Sequence, residues 1–366
     1  MRERRVIISG GGTGGHLYPA LVVGRKLQEM DAAVRLIYVG THRDVEKKIM
    51  EEHGVRFIPM RIEGLKGRGL RSLRSLALLP LSFAHSLSIL ARTRPGLVVG
   101  VGGYSSGPIV LLASWFGIPT LIMEQNVRPG FTNRLLARRV RKAVVAFESS
   151  LPFFRGKGVC LGNPVREEFY ALAPKPRAER LSLLVFGGSQ GSRVLNRSVT
   201  AALPLLHPVR DRLRITHQTG VADLDWVVSK YRDADFDAGG VAAYISDMAG
   251  AFGRADLVVS RAGATTLAEI IAARKAALLV PFAGASEDHQ TQNAAELERA
   301  GGAEVMPEAR LTPEALAGRF RHYLEHPAEL DAMEKCLAAL RIENPAAKIA
   351  GLCLSLMGGT AREQPA

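Results

Sequence analysis

A chain of 366 residues that is 47% hydrophobic and 23% charged has the composition of a soluble globular protein, which excludes disordered, fibrous and collagen-like classes. At roughly 100–200 residues per domain it accommodates two domains, each able to bury its own core. The formal charge of +13 is uneven: up to Pro164 there are 25 Lys+Arg against 10 Asp+Glu, and beyond it 23 against 25. A basic half beside a near-neutral one implies an anionic partner for the first half alone, whether nucleic acid, anionic lipid headgroups or a phosphorylated substrate.

From the start, Arg4-Arg5-Val6-Ile7-Ile8 reads as a first strand running into glycines and not as a signal peptide, because its apolar run is too short. Further short β-branched runs follow at Leu36–Val39, Leu97–Val99, Thr120–Ile122 and Ala143–Val145, each leading to a turn and a helical pattern. The design repeats at Ser182–Phe186, Arg214–His217, Asp256–Val259 and Ala277–Val280. Continuous apolar strands alternating with helices predict parallel sheets covered on both faces. The fold class expected is therefore α/β, with two Rossmann-like, doubly wound parallel-sheet domains facing a cleft. The linker is expected near Gly162-Asn163-Pro164, and the stretch from about Pro345 to Met357 is expected to be helical, followed by a frayed tail. The longest apolar region, Leu76–Ala91, is interrupted by Pro80, His85 and serines and falls short of the roughly 18–20 residues that span a bilayer. Cys160, Cys336 and Cys353 stand far apart in no metal-ligand spacing, which predicts reduced thiols, no disulfide and no zinc.

Three glycine turns carry the chemistry. They are Gly10–Gly15, Gly102–Pro108 and Gly187–Gly191. A glycine turn between strand and helix lets a phosphate approach backbone N–H groups at the positive end of a helix. Each alone is equally a tight structural turn, and none carries the Gly-Lys-Ser/Thr of a P-loop. A dinucleotide-dependent dehydrogenase is disfavoured, because the second strand ends at Val39-Gly40-Thr41 with no acid for a ribose. His16, directly after the first loop, is a candidate general base near neutral pH or else a helix-cap residue. Ser260–Glu269 suits a diphosphate at its small residues and ribose hydroxyls at Glu269, with a cap-like buried carboxylate as the plainer alternative. Asp288–Asn293 gathers amide and imidazole groups suited to sugar hydroxyls. Asp233-Ala234-Asp235 formally matches a metal-binding pair but lies in a polar stretch and reads as a solvated loop. No metal and no cofactor is expected.

From Arg61 to Arg94, Arg61, Lys66, Arg68, Arg71, Arg74, Arg92 and Arg94 interleave with leucines. That pattern suits an amphipathic helix on an anionic membrane surface, or equally a helix packed on the core with a solvated basic face. Trp115-Phe116 and Arg134, Arg138, Arg139, Arg141 and Lys142 would extend the same surface. Nucleic acid is not expected as a partner, for the stretch lacks aromatic interleaving and no nucleic-acid motif occurs.

Taken together, Gly11–Pro19, Gly102–Pro108, Glu124-Gln125-Asn126, Gly162–Arg166, Gly187–Gly191, His217-Gln218-Thr219-Gly220 and Arg261–Glu269 closely resemble, in order and over nearly the whole chain, the MurG family of bacterial peptidoglycan N-acetylglucosaminyltransferases. The resemblance implies a GT-B fold and an inverting, metal-independent transfer from UDP-N-acetylglucosamine (UDP-GlcNAc) to the 4-hydroxyl of lipid I, giving lipid II. It implies a peripheral protein on the cytoplasmic face of the inner membrane, with cell-wall synthesis or division proteins as partners. Residues 1–162 would then form the acceptor and membrane domain, with the helix at about 345–358 packed back on it, and residues 163–344 the donor domain. Carried over as donor contacts are Thr13, Gly14, Gly15, Asn126, Arg166, Ser189, Ile245, Ala264, Thr265, Thr266, Leu267, Ala268, Glu269 and Gln290. Gly103, Tyr104 and Ser105 would take the acceptor's diphosphate. His16 would be the base, with Glu124 assisting or replacing it. Tyr244-Ile245-Ser246-Asp247-Met248 departs from the family's Phe-Ile-Asp-Asp-Met but keeps the isoleucine. A UDP-sugar epimerase of similar fold and a non-enzymatic binding module are the other classes.

Overall fold

The structure is a computed structural model that describes residues 3–11, 14–60, 62, 70–285 and 288–358. It divides into two compact units, Met1–Val165 with Asn344–Ala366, and Arg166–Glu343. The first unit alternates β1 (Arg4–Ser9), α1 (Gly14–Met30), β2 (Val34–Thr41), α2 (Asp44–Glu52), β3 (Phe57–Met60), α3 (Leu70–Thr93), β4 (Leu97–Gly100), α4 (Ser106–Trp115), β5 (Thr120–Glu124), α5 (Phe131–Leu136), β6 (Lys142–Val145) and β7 (Gly158–Cys160). The second runs α6 (Glu167–Tyr170), β8 (Leu181–Phe186), α7 (Arg193–Leu206), β9 (Leu213–Gln218), α8 (Leu224–Asp233), β10 (Val241–Ala242), α9 (Met248–Arg254), β11 (Leu257–Ser260), α10 (Ala264–Ala273), β12 (Ala277–Leu279), α11 (His289–Arg299), β13 (Ala303–Val305), α12 (Pro313–Glu325) and α13 (Pro327–Leu340). The chain then returns to the first unit as α14 (Pro345–Gly358).

Both sheets are parallel throughout, in the orders β3-β2-β1-β4-β5-β6-β7 and β10-β9-β8-β11-β12-β13. In each, strand order reverses beside the first strand, between β1 and β4 and between β8 and β11. Open α/β sheets bind ligands at the carboxyl ends of the strands flanking such a reversal.

Why these residues make these sheets is visible in β1. Val6 and Ile8 face a core completed by α1 and α14, while Ile7 between them faces a second core completed by α3, α4 and α5. Alternate side chains of a strand point to opposite faces, so a strand buried on both must be apolar at every position. α3 passes through Pro80 without ending and buries Ser82, Ser86, Ile89, Leu90 and Thr93, while Leu81 and Leu87 stay exposed. It therefore packs on the core and also presents apolar side chains to solvent.

In the second unit Asp256, buried at the foot of β11, accepts from the Ser182 backbone N–H at 2.8 Å and pairs with Lys175 at 2.7 Å and Arg177 at 3.3 Å. Arg177 reaches on to Asp331 and Glu334, which ties the segment before β8 to α13. Asp233 and Asp235 are solvated, paired with Lys230 and Arg210.

α14 inserts Ile349, Ala350 and Cys353, all at 0% exposure, into the face that α1 also covers. Burial pushes the Cys353 thiol up to about 12, which leaves it an inert apolar filler. Removing atoms from a filled core costs their transfer free energy plus the cavity left behind. Ile349→Ala should therefore lower the stability of the first unit by about 3 kcal/mol, read as a drop in urea midpoint for the full chain, with the second unit's transition unmoved.

Candidate active site

In the first unit the turns after β1 and β4 interlock. Ser9 Oγ donates to the Ser105 carbonyl at 3.1 Å, and Val101 N–H to the Ser9 carbonyl at 2.8 Å. A Cβ on Gly103 would stand 2.4 Å from the Gly11 carbonyl oxygen, and one on Gly102 would stand 2.8 Å from the His16 ring. Both glycines also have positive φ, +96° at Gly102 and +78° at Gly103, a region that side chains disfavour. Only glycine lets these backbones meet. The contact places His16, at the start of α1, beside Gly102, with half-buried Tyr104 and buried Ser105 leading into α4. Ser106 Oγ donates to the Gly103 carbonyl at 2.9 Å and holds the turn shut.

Glu124, 3% exposed at the end of β5, is fully engaged. One carboxylate oxygen accepts from Asn126 N–H at 3.0 Å and Asn126 Nδ2 at 3.2 Å, the other from Gly130 N–H at 2.9 Å and Asn133 Nδ2 at 2.8 Å. Burial raises its pKa, while these four donors pull the other way. With every donor aimed at its oxygens, Glu124 shapes the loop from Gln125 to Gly130 and orients Asn126. Ser150 Oγ, 2.8 Å from the Val127 carbonyl, pins the same loop from the other side.

In the second unit the corresponding turns follow β8 and β11. Ser192 caps α7 by accepting from Leu195 N–H, and Arg261 Nε donates to its hydroxyl at 3.0 Å. Arg261 is buried, donates to the carbonyls of Val280 and Pro281 and pairs with Glu308 at 2.6 Å, so its charge is spent inside the fold. Gly263 caps the start of α10, whose first residues, Ala264–Thr266, present backbone N–H groups beside the glycine turn Gly187–Gly191, while the Leu267 N–H closes the first turn onto Gly263. Gln290 Oε1 accepts from Ala262 N–H at 3.2 Å and Phe282 N–H at 2.9 Å, so its NH₂ end is the one available to a ligand. Desolvation pushes Glu269 up to about 7, against a downward pull from the Arg166 cation.

The sequence-derived residues thus fall into two groups, one in each unit. Gly14, Gly15, His16, Gly103, Tyr104, Ser105, Glu124 and Asn126 belong to the first unit; Arg166, Ser189, Ile245, Ala264, Thr265, Thr266, Leu267, Ala268, Glu269 and Gln290 belong to the second. Leu267 and Ala268 are buried within α10, and the Leu267 N–H donates to the Gly263 carbonyl at 3.0 Å. Thr13, Arg61, Lys66 and Arg68 lie outside the described residues. Sequence reasoning missed Asn133, Ser150 and Glu46, whose carboxylate accepts from the N–H and hydroxyl of Thr41 and stands against Gly11 and Gly40. It also missed Asn196, which joins His217, Thr219 and Asp223. No local motif marks these side chains, since their partners are distant in the chain.

Residues 6–145 match the glycosyltransferase family 28 N-terminal domain, and residues 182–350 the family 28 C-terminal domain. A UDP-N-acetylglucosamine–N-acetylmuramyl-(pentapeptide) pyrophosphoryl-undecaprenol N-acetylglucosamine transferase of Myxococcus xanthus is 45% identical over 96% of this chain and 93% of its own. Its namesake in Syntrophus aciditrophicus is 43% identical over 96% and 99%. A crystal structure of MurG from Acinetobacter baumannii superposes with a TM-score of 0.80 at 29% identity, covering 96% of this chain and 99% of that one. UDP-GlcNAc 2-epimerase from Neisseria meningitidis, at a TM-score of 0.64 and 13% identity, shares the fold alone. The two parallel-sheet domains make up a GT-B fold, and with both of its domain models matched in order the chain belongs to glycosyltransferase family 28.

Proposed function

We propose that this chain transfers N-acetylglucosamine from UDP-GlcNAc to the 4-hydroxyl of the N-acetylmuramyl sugar of lipid I, giving lipid II for peptidoglycan synthesis. The observation that carries this reading is the 45% identity, over 96% of the chain, to a transferase named for that reaction. The second unit would hold the donor. N–H groups at the start of α10 and in the Gly187–Gly191 turn would face the diphosphate, Glu269 the ribose hydroxyls, Ile245 the base and Gln290 the sugar. Departing UDP gains negative charge, and helix N-termini with Arg166 would stabilise it without rearranging.

The first unit would hold the acceptor. His16 would take the 4-hydroxyl proton as that oxygen attacks the anomeric carbon, with inversion. Glu124 is assigned the orientation of Asn126 and not proton transfer, because its lone pairs are already taken. Gly103, Tyr104 and Ser105, at the start of α4, would meet the acceptor's diphosphate.

No helix among the described residues is long and apolar enough to cross a membrane. The lipid-borne acceptor would be reached by peripheral association with the cytoplasmic face of an anionic membrane. Leu81, Trp115, Phe116 and Leu135 are 58–64% exposed on α3, α4 and α5. Arg138, Arg139 and Arg141, just beyond α5, are exposed too. Apolar insertion combined with headgroup attraction is what such a surface requires.

Three measurements test these assignments. With radiolabelled UDP-GlcNAc and a lipid I analogue, His16→Ala should lose about 100-fold or more in kcat while UDP affinity stays within a few-fold; undiminished turnover would remove His16 as the base, and donor consumed without acceptor would favour an epimerase. For pH, the ionised carboxylate of Glu269 is the form that accepts from ribose hydroxyls, so UDP-GlcNAc affinity should fall by about tenfold from pH 8 to pH 6 as the group takes up its proton near pH 7. Calorimetry on Glu269→Gln should give a flat, weaker profile over that range. In sedimentation with phosphatidylglycerol vesicles, Trp115→Ser with Phe116→Ser should reduce binding about tenfold and leave turnover of a water-soluble acceptor analogue unchanged.

A further inference from the structure

The motif His217-Gln218-Thr219-Gly220 has no place in the chemistry above, yet it closes β9 directly beside the donor loops. Its first residue is structural. Buried His217, held near pKa 3 by desolvation, lies between Tyr231 Oη at 3.0 Å and Asn196 Oδ1 at 3.1 Å. Its last two residues interlock with the turn after β8. A Cβ on Gly191 would stand 1.9 Å from the Thr219 carbonyl oxygen, and one on Gly220 would stand 2.3 Å from that of Gln190. The motif is therefore a fixed wall behind the glycine turn.

Gln218 does something else. It is 1% exposed, and its amide spans two loops: Nε2 donates to the Gly188 carbonyl at 2.9 Å, and Oε1 accepts from Ile245 N–H at 2.8 Å. A carbonyl can only accept and a backbone N–H only donate, so the orientation of the amide is fixed by its partners. Gly188 sits at φ +94°, and Ile245 follows a segment otherwise held by backbone bonds from Thr219 N–H to Ala242 and from Gly220 N–H to Ala243. Gln218 is the side chain that extends this hold to Ile245.

We propose that Gln218 is a positioning residue for the donor, its amide setting the spacing between the Gly188 turn and the Ile245 segment so that both halves of a nucleoside diphosphate are met at once. This rests on the reading that these two segments hold UDP. Both partner groups are only half-buried, so water replaces the amide when it is lost. The fold survives such a loss, and the preset spacing does not. A ligand that must then order two loops binds more weakly, while a saturated enzyme reacts as before.

Gln218→Met keeps the volume and removes both bonds. Its donor KM and its Kd for UDP should rise about tenfold, the cost of ordering two loops on binding. Values of kcat, acceptor KM and thermal midpoint should be essentially unchanged. Hydrogen exchange should speed up at the Ile245 amide in the unliganded variant. An unaltered donor KM, or kcat and thermal midpoint falling in step with it, would overturn the proposal. The underlying reading is tested separately on the wild-type chain: UDP that protects neither residues 187–192 nor 243–247 from exchange overturns the donor site itself, whereas protection there with an unaltered Gln218→Met overturns only the role of Gln218.

Discussion

Everything at the two candidate sites depends on backbones meeting where a side chain cannot fit. At the β1/β4 reversal Gly103 lies against the Gly11 carbonyl, and in the second unit Gly191, in the turn after β8, lies against the Thr219 carbonyl at the end of β9. Each contact closes a turn at the carboxyl end of a parallel strand and aims the following helix's N–H groups outward. A single methyl at Gly103 or Gly191 would drive the paired loops apart and disturb whatever binds them. The catalytic proposal inherits this constraint, since His16 occupies its position only because Gly102 has no side chain.

Two carboxylates show how environment and not residue type divides the work. Glu124 is surrounded by four N–H donors, three from the loop after β5 and one from Asn133 in α5, so it organises structure and has no lone pair left for a substrate. For Glu269 desolvation dominates and the Arg166 cation offsets only part of it. A desolvated carboxylate with so little compensation gains the most from hydroxyl donors brought by a ligand. His217 is locked between Tyr231 and Asn196 and stays neutral, whereas His16 stands half-exposed at the mouth of a glycine turn.

What could be read from the sequence follows the same logic. The nine strands anticipated from apolar runs are the sheet interiors, where burial on both faces favours near-continuous apolar runs. The four that went unseen, β3, β7, β10 and β13, are the four edges, short and with few fully buried residues. Glycine turns were legible because close backbone approach demands one residue type. Asn133 and Asn196 were not, because an amide inside a helix has no local signature and takes its meaning from Glu124, His217 and Asp223, which the fold brings to it. For Glu124 the motif gave the position but not the role, since a saturated carboxylate and a free one have the same sequence.

The charge asymmetry is the physical counterpart of a reaction between one soluble and one membrane-borne substrate. A donor dissolved in water needs only local compensation at its diphosphate, and the half of the chain beyond Pro164, with 23 basic against 25 acidic residues, is near neutral. An acceptor anchored in an anionic bilayer instead requires the whole domain to approach a negative surface, and the first half carries 25 basic against 10 acidic residues. Screening limits that attraction to about 8 Å at physiological salt, so charge alone brings the domain near without fixing its depth. Under the proposed membrane association, exposed Trp115 and Phe116 would supply the short-range apolar component that charge lacks. Because the same unit carries His16 and the Gly102–Pro108 turn, the proposed association with a bilayer and the proposed capture of the acceptor's diphosphate would both fall to the first unit.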